Sequence, residues 1–238
     1  MKAIVFDTST IISLATNNLL WILEPLRKQM KGKFYIPEAV KKEVIDRPLQ
    51  SYRFKLEAMQ VLQQVIQGTL NIYESKGLRE ERERILNLAN SIFIARGKNL
   101  HIAHEGEIGA IALARILGAD VIAIDERTTR VLVEQPLMLV NLLSGKLHTK
   151  IMVNQENLRE FNNLTSGMKV VRSVELGMIA YQIGLMDKYA AEGTEKYVSN
   201  HPKKYVLEGL LWALKLKGCS VSESEIDQMV KLSGFDRL

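Results

Sequence analysis

The chain has 238 residues, 47% of them hydrophobic and 25% charged, and a formal net charge of +5. These are ordinary values for a soluble globular protein, long enough to bury a core without covalent staples and sized for one large domain or a domain with an appendage. The single cysteine, Cys219, excludes an internal disulfide framework and suits a reducing compartment. The N-terminal apolar run breaks at Asp7, and no run approaches the roughly 20 residues of a membrane span, so a cytoplasmic protein with no membrane partner is expected. The mild positive charge is compatible with a polyanionic partner and equally with a solvated basic surface.

In chain order, Ala3 to Phe6 reads as a short buried strand, and Thr8, Ser9 and Thr10 supply caps for a helix after it. Leu19 to Met30 is apolar at helical spacing and stops at Gly32. Phe34 to Ile36 is strand-like, and Pro37 then opens a helix carrying Glu43. A helix from about Tyr52 to Ile66 precedes an alternating segment, Thr69 to Glu74. The stretch LREERERILNLANSIFIARGK is predicted as one long helix, Leu78 to Lys98. Next come a helix from Gly106 to Leu117, a strand from Val121 to Ile124, Asp125, and a further helix. Beyond these, Pro136 to Gly145 reads as helix, KLHTKIMV as an exposed strand, Met168 to Val171 as a sheet strand and Val174 to Met186 as helix. The polar stretch from Ala190 to Tyr205 reads as a linker before a final helical pair, the second capped by Ser222 or Ser224. Alternating strands and helices over the first 130 residues predict an α/β fold with a mostly parallel sheet.

Ligands of such sheets bind beyond the carboxyl ends of the strands. Asp7 and Asp125 each follow a strand directly. If the two strands are neighbours, two carboxylates repel, and a hard divalent cation, magnesium or manganese, resolves the repulsion. Asp7 alone is also explained as a helix cap. A phosphatase nucleophile would need a second aspartate two residues on, where Ser9 stands, and a receiver-type site would need an acidic pair. The stretch HIAHEGE, with His101, His104, Glu105 and Glu107, lacks H-E-x-x-H spacing and cysteine support for zinc, and reads as a polar loop.

Four segments in order, IVFDTSTIISL, YIPEAVKKEV, GEIGAIALARILGADVIAID and DERTTRVL, resemble the successive motifs of PIN-domain nucleases, above all the prokaryotic VapC-like branch and its longer relatives. The resemblance covers about residues 1–135 and extends more faintly to MKVVRSVELGMIAYQIGL. It implies a three-layer α/β sandwich with a mostly parallel central sheet and, here, a C-terminal helical extension. The expected organisation is a nuclease domain over 1–188, with an inserted segment at about 136–167, and helices over 189–238.

The resemblance further implies that Asp7, Glu43, Glu107 and Asp125 are catalytic metal ligands, with Thr8 and Ser9 supporting them. One or two magnesium or manganese ions would activate water against a backbone phosphorus. Glu126 and Asp46 are acids adjacent to this set and rank below it as exposed helix-end charges. Lys41, Lys42, Arg127 and Arg130 flank the set as phosphate contacts or as ordinary helix surface. Aromatics are few, and no base-stacking platform is evident. The implied activity is that of an endoribonuclease, with RNA ahead of DNA as substrate, in RNA processing or turnover or as a VapC-type toxin. A homodimer, an antitoxin or another protein partner is compatible with the resemblance. The rivals are a catalytically silent nucleic-acid-binding or scaffold module and a structure-specific DNA nuclease.

Overall fold

The structure, a computed structural model, describes residues 2–198 and 201–235. Five parallel strands form the central sheet in the order β3-β2-β1-β6-β8: β1 Ala3–Phe6, β2 Lys33–Pro37, β3 Leu70–Tyr73, β6 Val121–Ala123 and β8 Lys169–Val171. β1 lies at the centre and is buried along its whole length, which is why its residues are apolar without alternation. A second sheet has the order β5-β4-β7 and is antiparallel: β4 Phe93–Ala95, β5 Lys98–Asn99 and β7 Ile151–Val153.

Helices cover both faces of the central sheet, so the fold is a three-layer α/β sandwich. The pleat sorts its side chains. Ile4, Phe6 and Ala123 face one core, with α1 Thr8–Thr16, α2 Leu23–Met30, α5 Lys55–Ile66 and α11 Ser173–Gln182. Ala3, Val5, Ile122 and Ile124 face the other, with α6 Lys76–Ala89, α7 Glu105–Leu117 and α10 Gln155–Thr165. Between β2 and β3 the chain runs through α3 Glu38–Lys41, a π-helical turn Lys42–Asp46 and α4 Arg47–Leu49 before α5. The π turn carries Glu43, and such bulges recur at functional sites. α8 Arg127–Glu134 and α9 Met138–Leu147 lead from β6 towards β7.

The predicted helix over Leu78 to Lys98 is corrected: α6 ends at Ala89, and Phe93 begins a hairpin. Its two-residue turn, Arg96-Gly97, has positive φ at both positions, 50° and 75°, the geometry that suits the right-handed twist of paired strands. Tertiary pairing with β7 overrides the helical periodicity, and in that register Phe93 is fully buried.

The last two helices, α12 Pro202–Leu216 and α13 Glu223–Leu232, share the first core: Leu207, Leu211, Leu214 and Ile226 are buried in one cluster with Phe6 and Leu14. Arg172 clamps them. It is buried, its guanidinium meets Glu175 and Glu225, the latter at 2.8 Å, and it donates to the Ser220 carbonyl at 2.9 Å. The expected linker from Ala190 to Tyr205 follows a 3₁₀ turn, Asp187–Ala190, and carries a second, Thr194–Lys196; α12 begins within it at Pro202, and residues 199–200 lie outside the described residues. Ser222 caps α13, accepting from the Glu225 N–H at 3.2 Å.

Because α12 is part of the main core, Leu211→Ala is expected to cost about 2–5 kcal/mol and to shift one single urea transition to lower midpoint. Two separate transitions would show that the extension folds on its own.

Candidate active site

Asp7 stands at the carboxyl end of β1, at the entry to α1. It is 1% exposed. Its Oδ2 accepts from the Ser9 N–H at 3.0 Å and the Ser9 hydroxyl at 2.6 Å, so Asp7 is indeed the cap of α1. Its Oδ1 is buried with no hydrogen-bond partner. A buried carboxylate oxygen left without a donor is costly and calls for a cause.

Oδ1 has acidic company. A methyl group placed on Gly106, in the first turn of α7, would lie 3.4 Å from Asp7 Oδ1, 3.3 Å from Glu43 Oε2 and 3.0 Å from Thr8 Oγ1. Thr8 donates its hydroxyl to that same Glu43 oxygen at 2.8 Å. Gly106 is therefore the residue whose missing side chain leaves room where these oxygens converge. Next to it, Glu107 is buried, and its Oε2 accepts from the His104 N–H at 2.9 Å and the Thr129 hydroxyl at 2.8 Å. Thr129 also donates its N–H to Glu126 at 2.7 Å. Asp7, Glu43, Glu107 and Glu126 thus gather where β1, the π turn, α7 and α8 meet.

The electrostatics follow. Burial, and beyond it the charge of Glu107, pushes the Asp7 carboxyl up to about 7, against the Ser9 hydrogen bonds that pull it down. Burial also raises Glu107, with the Glu126 charge adding to it and the His104 and Thr129 hydrogen bonds opposing. Among the described residues, no three Asp, Glu, His or Cys side chains are drawn into coordination distance of a single point.

Asp125 is not brought into this group. β1 and β6 are neighbours as expected, but Phe6 pairs with Ala123 and the Asp7 N–H donates to the Ala123 carbonyl. That register turns Asp125 to the face opposite Asp7, since successive side chains alternate. Its Oδ1 accepts from the Ser173 N–H and its Oδ2 from the Ser173 hydroxyl, both at 2.6 Å, with Thr10 Oγ1 at 3.5 Å. Asp125 is fully buried as the anchor of α11. Glu126, ranked lower in the sequence because it looks like a helix-end charge, does cap α8, yet it also faces Glu107. Alternation past the strand end was the signal that could have found it.

Three of the four basic residues flanking the set are paired along their own helices: Lys41 with Asp46 at 2.9 Å, Lys42 with Glu38, and Arg130 with Glu134 at 3.4 Å. Arg127 is exposed and enters no ion pair among the described residues. Asp46, in its ion pair, is not in the acidic group. His104 is exposed and heads α7. Cys219 is buried, and burial with the nearby Asp125 charge pushes its thiol up to about 12, which makes it unreactive. No helix among the described residues is long and apolar enough to cross a membrane.

Two consequences are measurable. A carboxyl raised in the folded state from its ordinary value of 3.8 to about 7 contributes stability fully present below about pH 4 and lost as pH rises through 7. Without divalent cations the protein is expected to lose stability over that window. Asp7→Asn should flatten the slope and raise the metal-free melting midpoint at pH 7.5 by about 3 °C or more in calorimetry. Asp125→Ala, which strands the Ser173 donors, should cost about 3 kcal/mol in urea unfolding, whereas Glu126→Gln should cost under about 1 kcal/mol.

The comparison with known families agrees with this architecture. Residues 3–136 match the DUF3368 family model, described as a PIN domain, which spans β1 to the end of α8 and so every acid of the group. No curated protein and no solved structure matches the chain. The matched segment is more than half of the chain and carries its central parallel strands but one: the protein belongs to the PIN-domain family.

Proposed function

We propose that the protein is a divalent-metal-dependent nuclease that hydrolyses phosphodiester bonds, and that its substrate is RNA. PIN domains are nuclease-type folds. The observation that carries the reading is the orphaned, buried Asp7 Oδ1, directed to the space left by Gly106 beside Glu43. A cation there supplies the missing partner and removes the cost of burying like charges together.

The donor set fits magnesium or manganese, being all hard carboxylate oxygen. Asp7, Glu43, Glu107 and Glu126 are the residues that would hold one or two ions. When bound, such an ion supplies an acidified water and compensates charge on the phosphoryl group. The chain does the rest. Ser9 fixes one Asp7 oxygen so that the other stays free. Thr8 orients Glu43, and Thr129 orients Glu107 and Glu126. These hydroxyls play the part of outer-shell partners, whose loss commonly costs ten- to a hundredfold in metal affinity or activity. Arg127, exposed at the first turn of α8 and unpaired among the described ion pairs, is placed to meet a phosphate. Between a VapC-type toxin and an RNA-processing enzyme, the helices added beyond a minimal domain favour the second.

The test is cleavage of single-stranded RNA with manganese. Asp7→Asn, Glu43→Gln and Glu126→Gln are each expected to lower turnover roughly a hundredfold or more, while Asp125→Asn, corrected for its folded fraction, keeps most of it. Equal cutting by wild type and Asp7→Asn would sink the reading. RNA binding without cutting by any of them would favour a silent binding module.

A further inference from the structure

The stretch after the Glu43 turn reads RPLQSYRFK, Arg47 to Lys55. It carries three cations and two aromatics and no acid. None of the ion pairs among the described residues uses Arg47, Arg53 or Lys55. Instead the Arg53 guanidinium lies 4.7 Å from the centre of the Phe54 ring, and Lys55 Nζ lies 5.7 Å from the centre of Tyr52. Tyr52 is wholly exposed and Phe54 is 45% exposed. Phe54 enters α5 with φ 61° and ψ 17°, a left-handed conformation unfavourable for a bulky residue and one that recurs at ligand clamps.

Phe54 also lines a half-open pocket of about 80 Å³ between α1 and α5. Ile11, Ala15, Val44 and Val61 are among its apolar walls, and its charged groups are the carboxylates of Glu43 and Glu57. Glu43 belongs to the acidic group as well, so the pocket and the candidate active site share that residue. An apolar slot of this size with carboxylates at its edge repels a phosphate. It suits a flat ring that bears N–H donors, because a carboxylate accepts from the amino group of a base. Exposed aromatics set between free cations are the means by which proteins hold single strands: rings stack on bases and cations meet the backbone.

We propose that the Arg47–Lys55 segment, from α4 to the start of α5, and this pocket form a subsite for single-stranded nucleic acid next to the scissile bond. One base enters the pocket against Phe54, a neighbouring base stacks on Tyr52, and Arg47 and Arg53 take flanking phosphates. Bases bearing an amino group, cytosine above uracil, are preferred. A duplex is excluded because its bases are already stacked on each other. The subsite rests on the nuclease reading for its consequence, the positioning of a phosphodiester, and its binding can be measured separately.

The experiment uses the full chain and fluorescein-labelled oligonucleotides of about 12 nucleotides, oligo-C and oligo-U as RNA, oligo-C as DNA, and a duplex, by anisotropy in EDTA. Oligo-C is expected to bind more tightly than oligo-U and than duplex. Tyr52→Ala and Phe54→Gly should each weaken oligo-C binding by about tenfold, on RNA and DNA alike, since stacking is blind to the 2′-hydroxyl. Glycine suits the positive φ, so the second variant keeps the fold, and Phe54→Leu, which retains bulk without a π face, should fall between. With manganese, KM should rise by the same factor while kcat stays within about twofold. Unchanged oligonucleotide binding by the double variant, Tyr52→Ala with Phe54→Gly, overturns the proposal. So does a double variant that alters only the size-exclusion volume, because the face then joins copies of the chain. Binding that depends on Tyr52 and Phe54 in a protein that cuts nothing upholds the subsite and fails the nuclease reading alone.

Discussion

The hydroxyl of Ser9 is the joint on which the site depends. It donates to Asp7 Oδ2 at 2.6 Å and accepts the Asp125 N–H at 3.0 Å, tying the end of β1 to the end of β6. Both partners are buried, so the bond is not diluted by water and cannot be exchanged for it. With one oxygen of Asp7 held in this way, the other must remain where Gly106 leaves room, without a donor of its own. The unfavourable electrostatics of the acidic group follow from that geometry.

The two aspartates then divide the work by face. Asp7 stays on the α7 side and keeps an unmet oxygen. Asp125, one step out of register, turns to the other side and is saturated by Ser173 and Thr10. It braces α11, and through Arg172 and the Ser220 segment it is linked to α12 and α13. A buried carboxylate with both oxygens met is a structural element, and one with an oxygen left unmet is a site waiting for a partner. Helices α11, α12 and α13, outside the matched family segment, therefore support the end of β6 from behind.

Much of the architecture was legible because it follows from local patterns. Ala3 to Phe6, Phe34 to Ile36 and Val121 to Ile124 are short apolar runs bounded by caps and prolines, and they became the sheet strands. The Arg96-Gly97 hairpin was not legible. The preceding helix is strongly amphipathic, and only the distant β7 strand makes Phe93 a strand residue. The Arg47–Lys55 segment was equally hidden, since a low aromatic count says nothing about where two rings are exposed together.

The sequence by itself determined the family, the parallel α/β layers and the presence of acids at strand and helix ends, because these rest on periodicity, caps and ordered motifs. Which acids share a face was decided only by tertiary structure. Strand register sets side-chain direction with a period of two, so one residue of offset exchanged Asp125 for Glu126. The pairing of three flanking cations with neighbouring acids, and the exposure of Tyr52 and Phe54, likewise depend on three-dimensional neighbours that no local pattern encodes.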